Sequence, residues 1–254
     1  MIKKISILIL LLNALMSCTS FLNLGNRTEY YETTLKEKYA IDVIYNKTRM
    51  DTDPFEQSLP TKRYVNRFIK ILYHEISKYP QNFFKRIGIA EIVLGKDLLV
   101  QGKPRAGSPY PFSGRIYFEV ESSEHSHSDI YLSYAIHHEI SHCVDYYLWG
   151  DLFYKWDSMD SLNVPGFTYG NGGKYALEID YEEPEIEIGF LTTYQMTGQE
   201  EDRAVLFGYA MSDEKKNYLL EKIAEDDIIK AKYNLLQHKI KVELGLTFVN
   251  YPSN

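Results

Sequence analysis

Apolar positions change their period several times along the chain, and each change marks an element. Over residues 62–78, Val65, Phe68, Ile69, Leu72 and Ile76 fall at helical spacing and predict an amphipathic helix. Over 128–148 there is no proline or glycine, and Ile136, Ile140 and Val144 recur every fourth residue. This predicts a second helix with one buried face, Ser128 as its N-cap and Gly150 as its stop. Between the two the period is that of strands. Residues 40–45 are β-branched and aromatic, and 87–94 and 98–101 are short apolar runs broken at Gly95. Residues 114–121 alternate strictly: Ile116, Phe118 and Val120 face one way, Tyr117, Glu119 and Glu121 the other, as in a half-buried strand. Residues 51–60 and 103–113 carry prolines and turn residues and are expected to be loops. Residues 156–189 are irregular, with glycines at 166, 170, 172, 173 and 189. Helical spacing returns over 197–211. Residues 213–244 then read as one or two long helices, with Leu219, Leu220, Ile223, Ile229, Leu235, Leu236 and Ile240 as a packing stripe. The expected class is α+β, a small mixed or antiparallel sheet followed by a helical C-terminal half.

Composition adds limits. The 254 residues suit one compact domain with an N-terminal extension. A net charge of −7 leaves no basic excess for phosphate, so nucleic acid is not an expected partner. There is no internal repeat, P-loop or glycine-rich dinucleotide fingerprint.

The first residues change the picture more. Lys3-Lys4 precedes an apolar stretch, 5–16, too short for a comfortable membrane span. It ends in Leu15-Met16-Ser17-Cys18, which resembles the lipobox of bacterial lipoproteins. The resemblance implies that residues 1–17 are removed and that Cys18 carries a lipid. That would place the protein in the bacterial cell envelope, lipid-anchored and either periplasmic or surface-exposed. Residues 18–37 are polar and without sustained period, and read as a tether to a domain spanning 38–254. With Cys18 lipidated only Cys143 remains, so no disulfide is expected, and Cys143 reads as a small buried side chain. Nothing indicates an oligomer.

Candidate chemistry lies on the second helix. His138-Glu139-Ile140-Ser141-His142 places two imidazoles four residues apart, on one helical face, where they can chelate one zinc ion. Glu139 can reach a water at the same centre and accept its proton. The strand at 114–121, just before this helix, is a candidate edge for an extended peptide. His125 and His127 sit in a Ser/His-rich loop expected to be solvated, and His74 reads as a surface or packing residue rather than a ligand. Two histidines leave a catalytic zinc one protein ligand short. Glu200, Glu201, the acids at 180–187 (Asp180, Glu182, Glu183, Glu185, Glu187) and a third histidine are all open.

Four segments in order carry a resemblance over roughly residues 60 to 212. They are His138-Glu139-Ile140-Ser141-His142; Trp156 with Leu162-Asn163-Val164-Pro165-Gly166-Phe167-Thr168-Tyr169-Gly170; Gly189-Phe190-Leu191-Thr192-Thr193-Tyr194; and Glu201-Asp202-Arg203-Ala204. The chain resembles a bacterial family of zinc-binding metallopeptidases of the gluzincin kind and, more distantly, the catalytic domain of anthrax lethal factor. The resemblance implies a zincin-like single domain that hydrolyses peptide bonds in a protein or peptide substrate. It implies His138, His142 and Glu201 as zinc ligands, Glu139 as general base, and Tyr194 as the phenol that steadies the developing oxyanion. The chain departs from relatives at Val205, where an acid often follows the alanine. A rival class is a surface lipoprotein that uses the same fold for binding or adhesion without catalysis. A third is a closed structural zinc site completed by His125 or His127.

Overall fold

The computed structural model describes residues 27–49, 53–173 and 185–248. Residues 1–26, with Cys18, and 174–184, with Asp180, Glu182 and Glu183, lie outside them. In chain order the elements are helix α1 (residues 27–39), β1 (Asp42–Ile44), β2 (Phe55–Ser58), α2 (Lys62–Ile76), α3 (Phe83–Arg86), β3 (Glu91–Val100), β4 (Lys103–Pro104), β5 (Gly107–Tyr110), β6 (Arg115–Glu121), α4 (Asp129–Trp149), α5 (Asp157–Asp160), α6 (Gln199–Met211), α7 (Asp213–Glu225) and α8 (Asp227–Leu244).

One mixed sheet runs in the order β1-β3-β6-β5, with β2 and β4 also paired to β3. The β1 and β6 pairings to β3 are parallel, and those of β2, β4 and β5 to their neighbours are antiparallel. The alternation of sides in β6 is borne out, but the strand is buried on both faces rather than half-buried. Ile116, Phe118 and Val120 join the main core with α2 and α4, while Tyr117 joins a small cluster with Phe55, Val93 and Leu98 on the opposite face. The helical half stacks on α4 through α6, and then through α7 and α8. Among the described residues no helix is long and apolar enough to cross a membrane.

Four expectations are corrected. Residues 27–39 are helix rather than tether: Tyr31, Leu35 and Tyr39 fall four apart, Leu35 and Tyr39 are buried, and Tyr31 stacks on Tyr73 of α2 at 4.6 Å. A polar composition hid a three-residue stripe. The two runs around Gly95 are one strand, β3. Gly95 leaves room for the Gln57 side chain, whose amide donates to Lys47 O (3.0 Å) and Leu94 O (3.4 Å), and the pairing with β6 slips one place after Gly95. The supposed loops at 51–60 and 103–113 contain β2, β4 and β5. Phe55 anchors β2 by stacking on Tyr117 at 4.0 Å, and Gln101 and Gly102, both at positive φ, turn β3 into β4. Finally, β6 is an interior strand. The sheet edge beside α4 is β5, where Pro109 is tolerated because an edge strand has one unpaired side.

Helix boundaries follow the capping chemistry. Ser128 Oγ accepts the Tyr131 N–H at 3.1 Å, and Gly150 closes α4 at φ 69°. Asp226 separates α7 from α8 and caps the latter, its Oδ1 accepting the N–H groups of Ile228 (2.8 Å) and Ile229 (3.1 Å).

Candidate metal centre

Helix α4 is buried on two sides. Ile136, Ile140, Cys143 and Val144 enter the main core, while His138, Glu139 and His142 face inward elsewhere, each less than a tenth exposed. A helix can hold polar groups at that depth only when each finds a partner. His137 does so without joining the centre. Its Nε2 donates to Glu75 Oε2 (2.6 Å) and its Nδ1 accepts from Tyr79 Oη (2.7 Å), as in a neutral imidazole whose needs are met. Burial holds its pKa below the usual range.

His138, His142 and Glu201 come together and can hold a metal ion. His138 Nε2 and His142 Nε2 are 3.3 Å apart, and Glu201 Oε2 lies 3.1 Å from the first and 3.5 Å from the second. Glu201 Oε2 is buried and makes no hydrogen bond of acceptable geometry, despite those two nearby nitrogens. His138 is steadied from behind: Tyr134, one turn earlier on α4, sits with its hydroxyl 3.1 Å from His138 Nδ1. Nothing in the sequence singled Tyr134 out except its place four residues ahead of a histidine.

Helix α6 brings Glu201 in, and the two residues that follow it fix the helix. Asp202, fully buried, pairs with Lys232 of α8 at 2.8 Å and accepts from Tyr169 Oη at 2.6 Å. Arg203, also fully buried, pairs with Asp145 of α4 at 2.7 Å and donates to Tyr154 O at 2.9 Å. The first turn of α6 is therefore clamped to α4 and to α8 on either side of the carboxylate. Val205 lies in the core.

Among the described candidates for the third position only Glu201 groups with His138 and His142, while Asp180, Glu182 and Glu183 lie outside the described residues. Glu200 turns toward the glycine loop, its Oε1 accepting the Gly173 N–H at 3.3 Å. Glu185 and Glu187 are exposed. His125 and His127 group with Glu119 instead, and His127, expected in a solvated loop, is buried with its Nε2 2.7 Å from Glu119 Oε2. His74 is exposed, as expected. Cys143 is buried and free, with burial pushing its thiol well above the usual range.

Electrostatics sort the remaining groups. Burial raises the Glu139 carboxyl above its ordinary range, against the lowering influence of His138, His142 and Arg105. Burial alone would lower His142, but the carboxylates of Glu201, Glu139 and Asp145 outweigh it and push it up to about 9. Burial would likewise raise Glu201, yet the two imidazoles hold it far below the usual range. Tyr194 is partly exposed, with its ring centroid 6.0 Å from that of His138. Burial of its hydroxyl and the charges of Glu201 and Glu139 push its pKa well above 10, so it keeps its proton.

Two cavities, of about 270 and 500 Å³, open at the centre, and both are lined by Gly107, His138, Glu139, Gly173 and Tyr194. The two glycines matter because of what stands against them. A Cβ on Gly107 would lie 2.8 Å from Glu139 Oε1, and one on Gly173 would overlap Glu201. Edge strand β5 and the loop at 173 thus approach the carboxylates closer than any side chain would allow.

No family model matches the sequence, and no curated protein does. Among solved structures, the chain is similar to a Bacteroides caccae protein described as a "putative zinc-binding metallo-peptidase". The two share 16% identity, with a TM-score of 0.55 over 86% of this chain and 87% of that one. At that identity the likeness shows the fold alone: an α+β single domain with a small mixed sheet and a helical C-terminal half.

Proposed function

We propose that the chain is a zinc-dependent metallopeptidase of the bacterial cell envelope, held to the membrane by a lipid on Cys18 and acting on protein or peptide substrates. His138, His142 and Glu201 are its zinc ligands, Glu139 its general base and Tyr194 its oxyanion donor. The observation that carries this reading is the convergence of His138 Nε2, His142 Nε2 and Glu201 Oε2, at mutual distances of 3.3, 3.1 and 3.5 Å. The edges of a tetrahedron built on zinc–ligand bonds of about 2.0–2.1 Å measure about 3.3–3.4 Å. The donor set and its spacing suit zinc, and the buried Glu201 oxygen without a hydrogen bond is the acceptor such an ion would satisfy.

When bound, zinc supplies Lewis acidity, which acidifies a water and polarises a carbonyl. The chain does the rest. Glu139, its carboxyl raised by burial, accepts the proton of the attacking water and returns it to the leaving amine. Tyr194 stays protonated and donates a hydrogen bond to the oxygen on which negative charge develops. Edge strand β5 offers unpaired backbone groups directly across from Glu139, where an extended peptide can lie with one part in each cavity.

The test is Glu139→Gln assayed on a mixed pool of fluorogenic peptides. The variant is expected to retain zinc and lose at least about 100-fold in turnover, the scale of a lost general base. Full activity in that variant would refute the mechanism.

A further inference from the structure

Glu119, His125 and His127 lie outside the centre just described, and none of them has a part in its chemistry. Glu119 sits on β6, and the two histidines on the loop that joins β6 to α4. We propose that these three residues form a second divalent-metal site, selective for a zinc-like ion.

Glu119 is 3% exposed, and its Oε1 accepts the Leu98 N–H of β3 at 3.2 Å. Its other oxygen faces two imidazoles at once, with His127 Nε2 at 2.7 Å and His125 Nε2 at 3.3 Å. Both rings present the same nitrogen to the same oxygen. The opposite nitrogen of His125 lies 3.2 Å from Ser122 Oγ, the outer hydrogen bond that orients metal-binding histidines and fixes their tautomer. The His127 ring is stacked on Tyr131 at 5.1 Å with planes 14° apart, and its backbone oxygen is held by Arg67 at 2.7 Å. The two histidine rings cross at 84°, with centroids 4.6 Å apart.

The site is thus built on one side and open on the other. Glu119 and His127 are buried and fixed, whereas the His125 side chain is half exposed and provides the entry. His-x-His spacing in an extended loop projects both rings to one side. Two imidazoles and one carboxylate favour zinc, nickel or copper over magnesium or calcium, which require more oxygen donors. The ion would cross-link β6 to the loop that delivers the N-cap of α4. Tyr131, stacked on His127, also lines the 500 Å³ cavity, so a single ring separates this site from the cleft.

The test uses the full-length, tag-free chain in mild detergent, dialysed against micromolar free Zn²⁺, with bound zinc counted per chain by elemental mass spectrometry. Wild type is expected to carry about one zinc more than His125→Ala, whose substitution falls at an exposed position and spares the fold. Glu201→Ala serves as the second arm. It should lose the ion at the other centre and keep the one held by Glu119, His125 and His127. If the reading of the first centre is wrong, Glu201→Ala equals wild type while the His125→Ala deficit remains. Equal zinc in wild type and His125→Ala overturns the second site.

Discussion

Replacing Tyr134 by Phe removes one hydrogen bond and little else. The ring is held by packing: it meets Tyr209 edge-on at 5.4 Å, and Gly208 lets α6 pass so close that a Cβ there would lie 2.7 Å from a ring carbon. What is lost is the contact at 3.1 Å between the hydroxyl and His138 Nδ1. Burial pushes the Tyr134 phenol well above 10, so it remains neutral and can accept the Nδ1–H of an imidazole that offers Nε2 to zinc. Losing such an outer partner weakens zinc binding by about 10- to 100-fold, or about 1.4–2.7 kcal/mol. Because packing still fixes the ring, and with it part of the imidazole's freedom, the lower end is expected here. Stability without zinc should fall by no more than about 1.5 kcal/mol, the value of an ordinary hydrogen bond. Competition with a chromophoric chelator measures the affinity, and urea denaturation the stability. An affinity within twofold of wild type would refute the assignment of Tyr134 as the partner that positions His138.

Two further predictions concern the scaffold. Arg203→Met strands Asp145 in the core and should cost about 3–5 kcal/mol by urea denaturation, while adding Asp145→Leu should recover most of it; a loss below about 1 kcal/mol would show that the pair does not clamp α6 to α4. Burial works to raise Glu75, but the hydrogen bonds from His137 and Lys78 and the charge of Lys78 prevail and hold it below its ordinary value of 4.5. A depressed folded-state pKa contributes stability that is present above the unfolded value and lost as pH falls through the folded one. The stability gap between wild type and Glu75→Gln should therefore be full at neutral pH and shrink below pH 4.5, and urea midpoints that differ equally at all pH values would contradict it.

The main helices were legible because their apolar spacing is regular and their ends are chemically marked. Ser128 and Gly150 bound α4 where the sequence places them, and His138 and His142 meet because four residues make about one turn. The strands around the centre were harder to read. β5 is four residues long with a proline inside it, and it persists because β6 supplies the alternating apolar face that β5 lacks. Helix 27–39 rests on three aromatic and aliphatic positions in polar surroundings, too few to stand out by period. The pairing of Glu119 with His127 could not be read at all. Strict alternation assigned Glu119 to an outward face, and only the fold shows that the loop after β6 doubles back to cover it. Glu201 was distinguishable from Glu200 only by resemblance. The structure separates them because adjacent residues on a helix point about 100° apart, which turns one carboxylate to the imidazoles and the other to Gly173.

The central claim is that His138, His142 and Glu201 hold one zinc ion tightly. Its most direct test is the zinc retained by wild type and by Glu201→Ala after dialysis in a chelator buffer that sets free zinc at nanomolar levels. Wild type is expected to keep about one ion more per chain than the variant, with both folded. A wild-type chain that emerges without zinc, or a variant that retains as much as wild type, would contradict it.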